Sequence, residues 1–264
     1  MLFRSDERRN YTPLNARVRP QSRTTTRSTS SKGSLTSAPS TTSVPSVPSS
    51  SLRILLSTDP SPTVSFASEG MLGDTRVNPA STFTLLSKDG ACVAIYRGEQ
   101  FASDLLLRLS SPSPLTVSTV RGMTRQYRGI LECRIIDGAL VLINELPIED
   151  YMMGLAEESD TEPYEKQRAF AIAARTYATY YRDPTHRKFP GKPYDGSDDP
   201  ATFQSYQGVD FEGRNPEWVR AVKSTSKQIL LYKNDVLRVP YFSSDDGRTR
   251  SPSEADRKST RLNS

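Results

Sequence analysis

Between Asn144 and Tyr181 the chain reads NELPIEDYMMGLAEESDTEPYEKQRAFAIAARTYATYY, a dense acidic run followed at once by an alanine-rich segment. Ala169, Phe170, Ala173, Ala174, Tyr177 and Tyr181 recur at three- and four-residue steps, which predicts a helix with one apolar, small-residue face packed into a core. Pro163 suits the first turn, where a missing N–H costs nothing, and Thr161 is a candidate cap, so the helix is expected to start near Glu162. Glu157, Glu158, Asp160 and Glu162 then sit in the turn before it. The positive helix end favours carboxylates there, while their mutual repulsion disfavours ionising all four. Such crowding, with partial burial against the helix, offers a carboxylic acid able to act near neutral pH. Glu145, Glu149 and Asp150 read as structural, Glu149 or Asp150 capping a short helix that begins at Tyr151. Arg175 reads as the partner of one of these acids in an exposed pair, a contact of only about 0 to 1 kcal/mol.

Charge is unevenly spread. The first fifty residues hold eight Lys and Arg against two acids, a surplus of six, so the chain's net +5 leaves the remainder at minus one. That leading segment, rich in Ser, Thr, Pro and Arg with almost no large apolar residues, cannot build a core and reads as a disordered linker over 1–50. Anionic wall polymers or a membrane surface suit its charge; nucleic acid does not, because no aromatics interleave the basic residues. Two short ends match translated sequencing adapters: Met1–Ser5 (MLFRS) and Asp256–Ser264 (DRKSTRLNS). The chain is therefore read as a metagenomic fragment, genuine from about Asp6 to Ala255, with the ends set aside from fold reasoning.

From Leu52 onward LRILLS, TVSFAS, FTLLS, CVAIY, LLLRLS and LTVSTV are short β-rich runs punctuated by Ser, Pro, Gly and Asp. Two longer strands in YRGILECRIIDGALVLINELP meet at Asp137-Gly138, a dipeptide suited to a tight hairpin. The expected fold class is α+β: a small β-rich region over 52–146 feeds the alanine-rich helix, and a further helix and a β-hairpin follow. NPEWVRAVKSTS predicts that helix, with Asn215 as cap, Pro216 at the first position and Trp218, Val219 and Val222 facing inward; QILLY and VLRVPYF flank a turn at Lys233 to Asp235. The polar stretch from Arg182 to Asn215 reads as one long loop. Its GSDDP and FQSYQG are candidate groove-lining motifs, with Tyr194, Phe203 and Tyr206 as candidate sugar-stacking rings.

Cys92 and Cys133 lie in strand-like apolar runs and read first as buried free thiols, a disulfide between them being the alternative. The lone histidine, His186, sits in a Pro- and Lys-rich loop and reads as a surface residue, which disfavours a Ser-His or Cys-His nucleophile.

The segments Tyr127–Tyr151, GLAEES (Gly154–Ser159), KQRAFAIAARTYA (Lys166–Ala178), WVRAVKSTSKQILLY (Trp218–Tyr232) and PYFSSDDGRTRS (Pro240–Ser251) together resemble the stage II sporulation protein D family, SpoIID/LytB. They keep the family's order across roughly half the chain. The resemblance implies an SpoIID-like domain over 51–255, its catalytic part being 147–255. It implies a peptidoglycan lytic transglycosylase, in which one glutamate protonates the oxygen between N-acetylmuramic acid and N-acetylglucosamine. The same residue then takes the proton of the sugar's 6-hydroxyl as that oxygen closes a 1,6-anhydro ring. The family's Ser-Glu-Met-Pro context is replaced here by GLAEES, and the family spacing lands on Glu157, with Glu158 as the second choice. The equivalent of the family's Phe-x-Ser-x-x-Gly-x-Thr stretch implies glycan contacts from Ser243, Ser244, Gly247 and Thr249, with Tyr241 stacking beside them.

Some members carry a Cys-containing zinc segment after the catalytic helix. The corresponding YDGSDDPATFQSYQG has neither Cys nor His, so no metal and no cofactor are expected. The partners implied are peptidoglycan glycan strands and other cell-wall hydrolases, and the place implied is extracytoplasmic. The alternatives from other classes are a non-catalytic glycan-binding or amidase-enhancing protein, and a surface adhesin or spacer.

Overall fold

Period-2 alternation dominates from Leu52 to Pro147, and this pattern forms strands that pack as two facing sheets. The computed structural model describes residues 51–56, 60–120, 122–239 and 241. The expected linker over 1–50, both adapter-like ends and the candidate residues Ser243, Ser244, Gly247 and Thr249 lie outside the described residues. In chain order the strands are β1 (Ser51–Leu56), β2 (Thr63–Phe66), β3 (Gly70–Leu72), β4 (Thr75–Val77), β5 (Thr82–Lys88), β6 (Ala91–Tyr96), β7 (Glu99–Asp104), β8 (Leu106–Ser110), β9 (Leu115–Ser118), β10 (Thr124–Tyr127), β11 (Ile130–Ile136) and β12 (Ala139–Pro147). Then come helices α1 (Ile148–Met153) and α2 (Tyr164–Arg182), a 3-10 turn at Pro184–His186, strand β13 (Gly196–Ser197), helices α3 (Val209–Arg214) and α4 (Pro216–Ser224), and the pair β14 (Leu231–Tyr232) and β15 (Asp235–Val236). The fold class is α+β.

One sheet runs β13-β1-β12-β11-β8-β3-β4 and the other β10-β9-β2-β5-β6-β7. On the inner face of the first, Leu52 and Leu146, Leu142 and Cys133, and Leu131 and Leu109 lie opposite one another, all buried. The second sheet contributes Val64, Phe66, Phe83, Leu85, Cys92 and Ala94 to the same core. Asp137 and Gly138 both take positive φ (53° and 80°), the two-residue turn that matches strand twist, and join β11 to β12 as the dipeptide predicts. The outer face of the first sheet is charged: Arg53, Arg108 and Arg134 surround Glu132, and Arg53 and Arg108 also reach Glu145. Glu132 is fully buried, so three guanidiniums compensate its desolvation.

Several expectations are revised. Cys92 on β6 and Cys133 on β11 form a disulfide across the two sheets, not a pair of free thiols, because the sandwich brings strands 41 residues apart into contact. The segment after α2 is not a single loop: Gly196–Ser197 pairs in parallel with β1 as an edge strand, and Val209–Arg214 is helical. Helix α2 begins at Tyr164, since Glu162 precedes a proline and is steered away from helical backbone. Thr161 is not its cap, for its hydroxyl pairs with that of Ser159 at 2.8 Å. The buried face of α2 carries Ala171, Ala174, Arg175, Ala178 and Tyr181, while Ala169 is exposed. Asn215 does not cap α4 with its side chain, which donates to the carbonyl of Phe211; Asp160 takes the role instead, accepting from the Trp218 N–H at 2.8 Å.

Arg175, read as an exposed partner, is 1% exposed. Its guanidinium donates twice to Glu149 on α1, both at 3.0 Å, and also to the carbonyls of Val222 and Gln228 and the hydroxyl of Thr225. Neither Glu149 nor Asp150 caps α1, whose first turn has no side-chain cap. Glu149 instead accepts from Arg175 and from the Lys227 N–H.

Two stability measurements follow from these contacts. Replacing Cys92 and Cys133 by Ala frees a 41-residue separation in the unfolded chain and is expected to lower the unfolding free energy by about 4 kcal/mol in chemical denaturation under oxidising conditions. Arg175→Ala removes both guanidinium hydrogen bonds from the Glu149 carboxylate and is expected to cost about 3 kcal/mol, where an exposed pair would cost under about 1.

Candidate active site

The loop between α1 and α2 is pinned at both ends and in the middle. Trp218 of α4, fully buried, donates its indole N–H to the Met152 carbonyl at 2.9 Å and receives the Asp160 cap on its backbone. Between these anchors the chain forms a short antiparallel strip with residues 205–207: Leu155 bridges Tyr206, Ala156 N–H reaches the Ser205 carbonyl at 2.7 Å, and Gln207 N–H reaches Gly154 at 2.9 Å. Leu155 and Tyr206 turn inward and are buried, so the alternate residues Ser205 and Gln207 face outward.

Glu157 continues this strip through its side chain. Its Oε1 accepts from the Ser205 N–H at 2.6 Å, and the carboxyl is half-buried. Burial pushes its pKa above the ordinary carboxylate value, against the opposing hydrogen bond from Ser205. Of the two causes expected from the sequence, burial operates and acidic crowding does not: Glu158 and Glu162 are both drawn to Lys166, at 2.8 and 3.0 Å, and Asp160 is committed to α4. The negative charge of Glu157 is felt by three tyrosines, Tyr151, Tyr177 and Tyr241, each of whose phenols is pushed up first by burial and further by that carboxylate. These rings form one wall. Tyr241 packs edge-on against Phe170 and Tyr177, and Tyr177 against Tyr181 and Phe203. Gln204 ties the wall together, donating to the Tyr241 hydroxyl at 2.6 Å and accepting from that of Tyr151 at 3.0 Å.

The two candidate acids are therefore separated by environment. Glu157 holds a half-buried carboxyl on one backbone N–H, within electrostatic reach of three tyrosines, and no salt bridge reaches it among the described residues. Glu158 points to an ammonium, a contact that uses the carboxylate and not the acid form.

Of the expected glycan contacts, Tyr241 lies at the Glu157 wall, partly buried. Tyr206 does not face a ligand. It is 1% exposed, stacked among Tyr127 and Tyr151, with its hydroxyl donating to Asn144 at 3.0 Å, and so completes the core beneath the strip. Tyr194 and Phe203 are likewise buried, Tyr194 against Phe189. In the GSDDP motif, Gly196 and Ser197 form β13, Asp198 is buried beside Arg125 at 3.6 Å, and the Asp199 carboxylate accepts from the Ala201 N–H. These residues build the scaffold, not a sugar surface. The contributions the sequence did not single out are the Ser205 N–H, Gln204 and Tyr177. Gln204 and Ser205 fall inside the flagged FQSYQG run, but a backbone donor leaves no residue signature. Among the described residues no group of three or more His, Cys, Asp or Glu is arranged to hold a metal ion.

Comparison with known proteins agrees with this segment. Residues 137–232 match the family model described as stage II sporulation protein, SpoIID. An uncharacterised protein of Brachyspira hyodysenteriae is 36% identical over 120 residues, 45% of this chain and 31% of that protein, so the chain spans about a third of the relative's length. No solved structure matches. From the β11–β12 turn through α4 to β14, with the pinned loop and the wall residues Tyr151, Phe170, Tyr177 and Phe203 included, this segment of the chain matches the SpoIID family.

Proposed function

We propose that the chain acts on the bacterial cell wall as a lytic transglycosylase, cleaving between N-acetylmuramic acid and N-acetylglucosamine with Glu157 as acid and then base. The observation that carries this reading is the half-buried Glu157 carboxyl, held by the Ser205 N–H and within electrostatic reach of Tyr151 and Tyr241. The protonated carboxyl donates its proton to the glycosidic oxygen as the bond to the anomeric carbon breaks. The resulting carboxylate accepts the proton of the sugar's 6-hydroxyl as that oxygen bonds to the anomeric carbon, and the proton is returned to Glu157. One carboxyl suffices, where hydrolysis with two carboxylates requires a second at a defined separation. The Ser205 N–H steadies the ionised form midway through the cycle, while burial shifts the balance toward the protonated form. Tyr241 and Tyr177, packed edge to face and each only partly buried, are the rings proposed to meet a pyranose. Glycan strands are the partner, and an extracytoplasmic location suits both that substrate and the cross-sheet disulfide, which persists in oxidising compartments.

A non-catalytic role, binding glycan to enhance another wall enzyme, is the second reading; replacement of the Ser-Glu-Met-Pro context by GLAEES favours it. Purified glycan strands separate the two. Glu157→Gln is expected to lower the formation of anhydro-muramyl ends, followed by mass spectrometry, by about 10²- to 10⁴-fold while binding persists; Glu158→Gln should retain most of the activity. Products undiminished in Glu157→Gln would remove Glu157 as the acid, and no products from the unsubstituted chain with binding intact would leave the enhancer role.

The pH dependence has a definite sign. A raised pKa keeps Glu157 protonated above the ordinary glutamate range, so the rate should fall as pH rises through that raised value, with a one-proton limb. In the folding equilibrium the native state holds this proton more tightly than the unfolded chain, so the group's stabilising contribution is full below the unfolded value and is lost as pH rises through the folded one. Glu157→Gln removes the penalty of a buried carboxylate and is expected to unfold at a higher temperature than the unsubstituted chain at neutral pH, the difference shrinking in acid.

A further inference from the structure

Beyond Glu157, the outward face of the 205–207 strip leads into an open cleft of about 400 Å³ lined by Thr124, Arg125, Gln207, Asp210 and Arg214. It is built by close backbone approach. Gly208, at φ 71°, lies so near β10 that a Cβ would stand 2.2 Å from the Gln126 carbonyl, and Asp210 at the start of α3 accepts from the Gln126 N–H at 2.8 Å. Arg214 is braced across the cleft floor, donating to the Asp210 carbonyl at 3.0 Å and to the Gln207 side chain at 3.4 Å. Arg125 is held by the buried Asp198 and by the Tyr206 carbonyl.

The charges compensate: two guanidiniums stand against Asp210 in the cleft and Asp198 behind it. An anion would gain little net attraction there. What the cleft presents is a mixture of fixed donors and acceptors, with guanidinium N–H groups, an amide, a hydroxyl and a carboxylate side by side. That mixture matches groups that both donate and accept, such as the vicinal hydroxyls and acetamido group of an uncharged sugar. Its position is specific as well. Gln207 is two residues along the strip from Ser205, whose N–H holds Glu157, and two strand residues advance roughly 7 Å. A glycan strand with one bond at Glu157 would therefore pass its next sugars over this cleft.

We propose that the Arg125–Arg214 cleft is a distal sugar subsite for an uncharged N-acetylated pyranose of the strand, setting how long a fragment must be to bind well. This rests on the reading of Glu157 as the site of cleavage. The test uses the full chain carrying Glu157→Gln and uncharged β-1,4-linked N-acetylglucosamine oligomers of two to six units as the probe, titrated by calorimetry. Affinity should rise when the oligomer becomes long enough to span both places, and Arg214→Met should remove that increment, weakening the long oligomers about tenfold and leaving the short ones unchanged. Thr124→Val, close to isosteric, serves as a second probe should Arg214→Met lower the unfolding temperature, and it should also weaken only the long oligomers. Inorganic phosphate at millimolar concentration should not compete, nor should added salt weaken the long oligomers. Long-oligomer affinity unchanged in both variants, or displacement by phosphate, would overturn the assignment. Failure of Glu157 as the acid would show separately, as cleavage of glycan strands by the Glu157→Gln chain.

Discussion

The ion pair between Arg175 and Glu149 is the contact on which the candidate site depends. A guanidinium almost wholly out of water must satisfy its donors, and it does so on three elements at once: the α1 carboxylate, the last carbonyls of α4 and the chain beyond it, and its own helix. Such a pair contributes little net stability beside an apolar alternative, but each partner makes the other indispensable and only one arrangement of the three helices satisfies both. The loop from Gly154 to Pro163 is thereby suspended between two fixed ends, and Trp218 with Asp160 fixes its middle.

Rigidity there has a chemical consequence. An acid that must give and then retake a proton needs a microenvironment that changes little between its two forms. Glu157 has burial acting against ionisation and one backbone N–H acting for it. Neither influence depends on a mobile charged side chain, since Lys166 is taken up by Glu158 and Glu162. The acidic neighbours, which on sequence grounds looked like the source of the shift, act as structural ligands: one caps a helix and two hold an ammonium. The β-sandwich contributes at a distance. β13 inserts beside β1, and Asn144 of β12 accepts the Tyr206 hydroxyl under the strip, so the part that would bind glycan is bolted to the sheet.

What was legible in the chain follows from range. Strand alternation, the Asp137-Gly138 turn, the hairpin around Lys233 and the inward Trp218 and Val222 of α4 depend on residues within a few positions of one another, and periodicity or turn chemistry reports them directly. The buried state of Arg175 was not legible, because nothing within its own helix says that α1 and α4 close over it. Tyr206 misled for a similar reason: a tyrosine in a polar run resembles a ligand-stacking ring until the core beneath it is assembled. The disulfide required knowing that β6 and β11 face one another across the sandwich.

The amino-acid sequence by itself determined the α+β composition of elements, the alanine-rich helix with its acidic approach, and the two adjacent glutamates between which a proton carrier had to be sought. Only the tertiary structure gave the two different surroundings. One side chain was turned against tyrosines and a backbone donor 48 residues away, the other against a lysine eight residues along, and desolvation with hydrogen bonding across such separations is a property of the packed molecule, invisible to any local pattern.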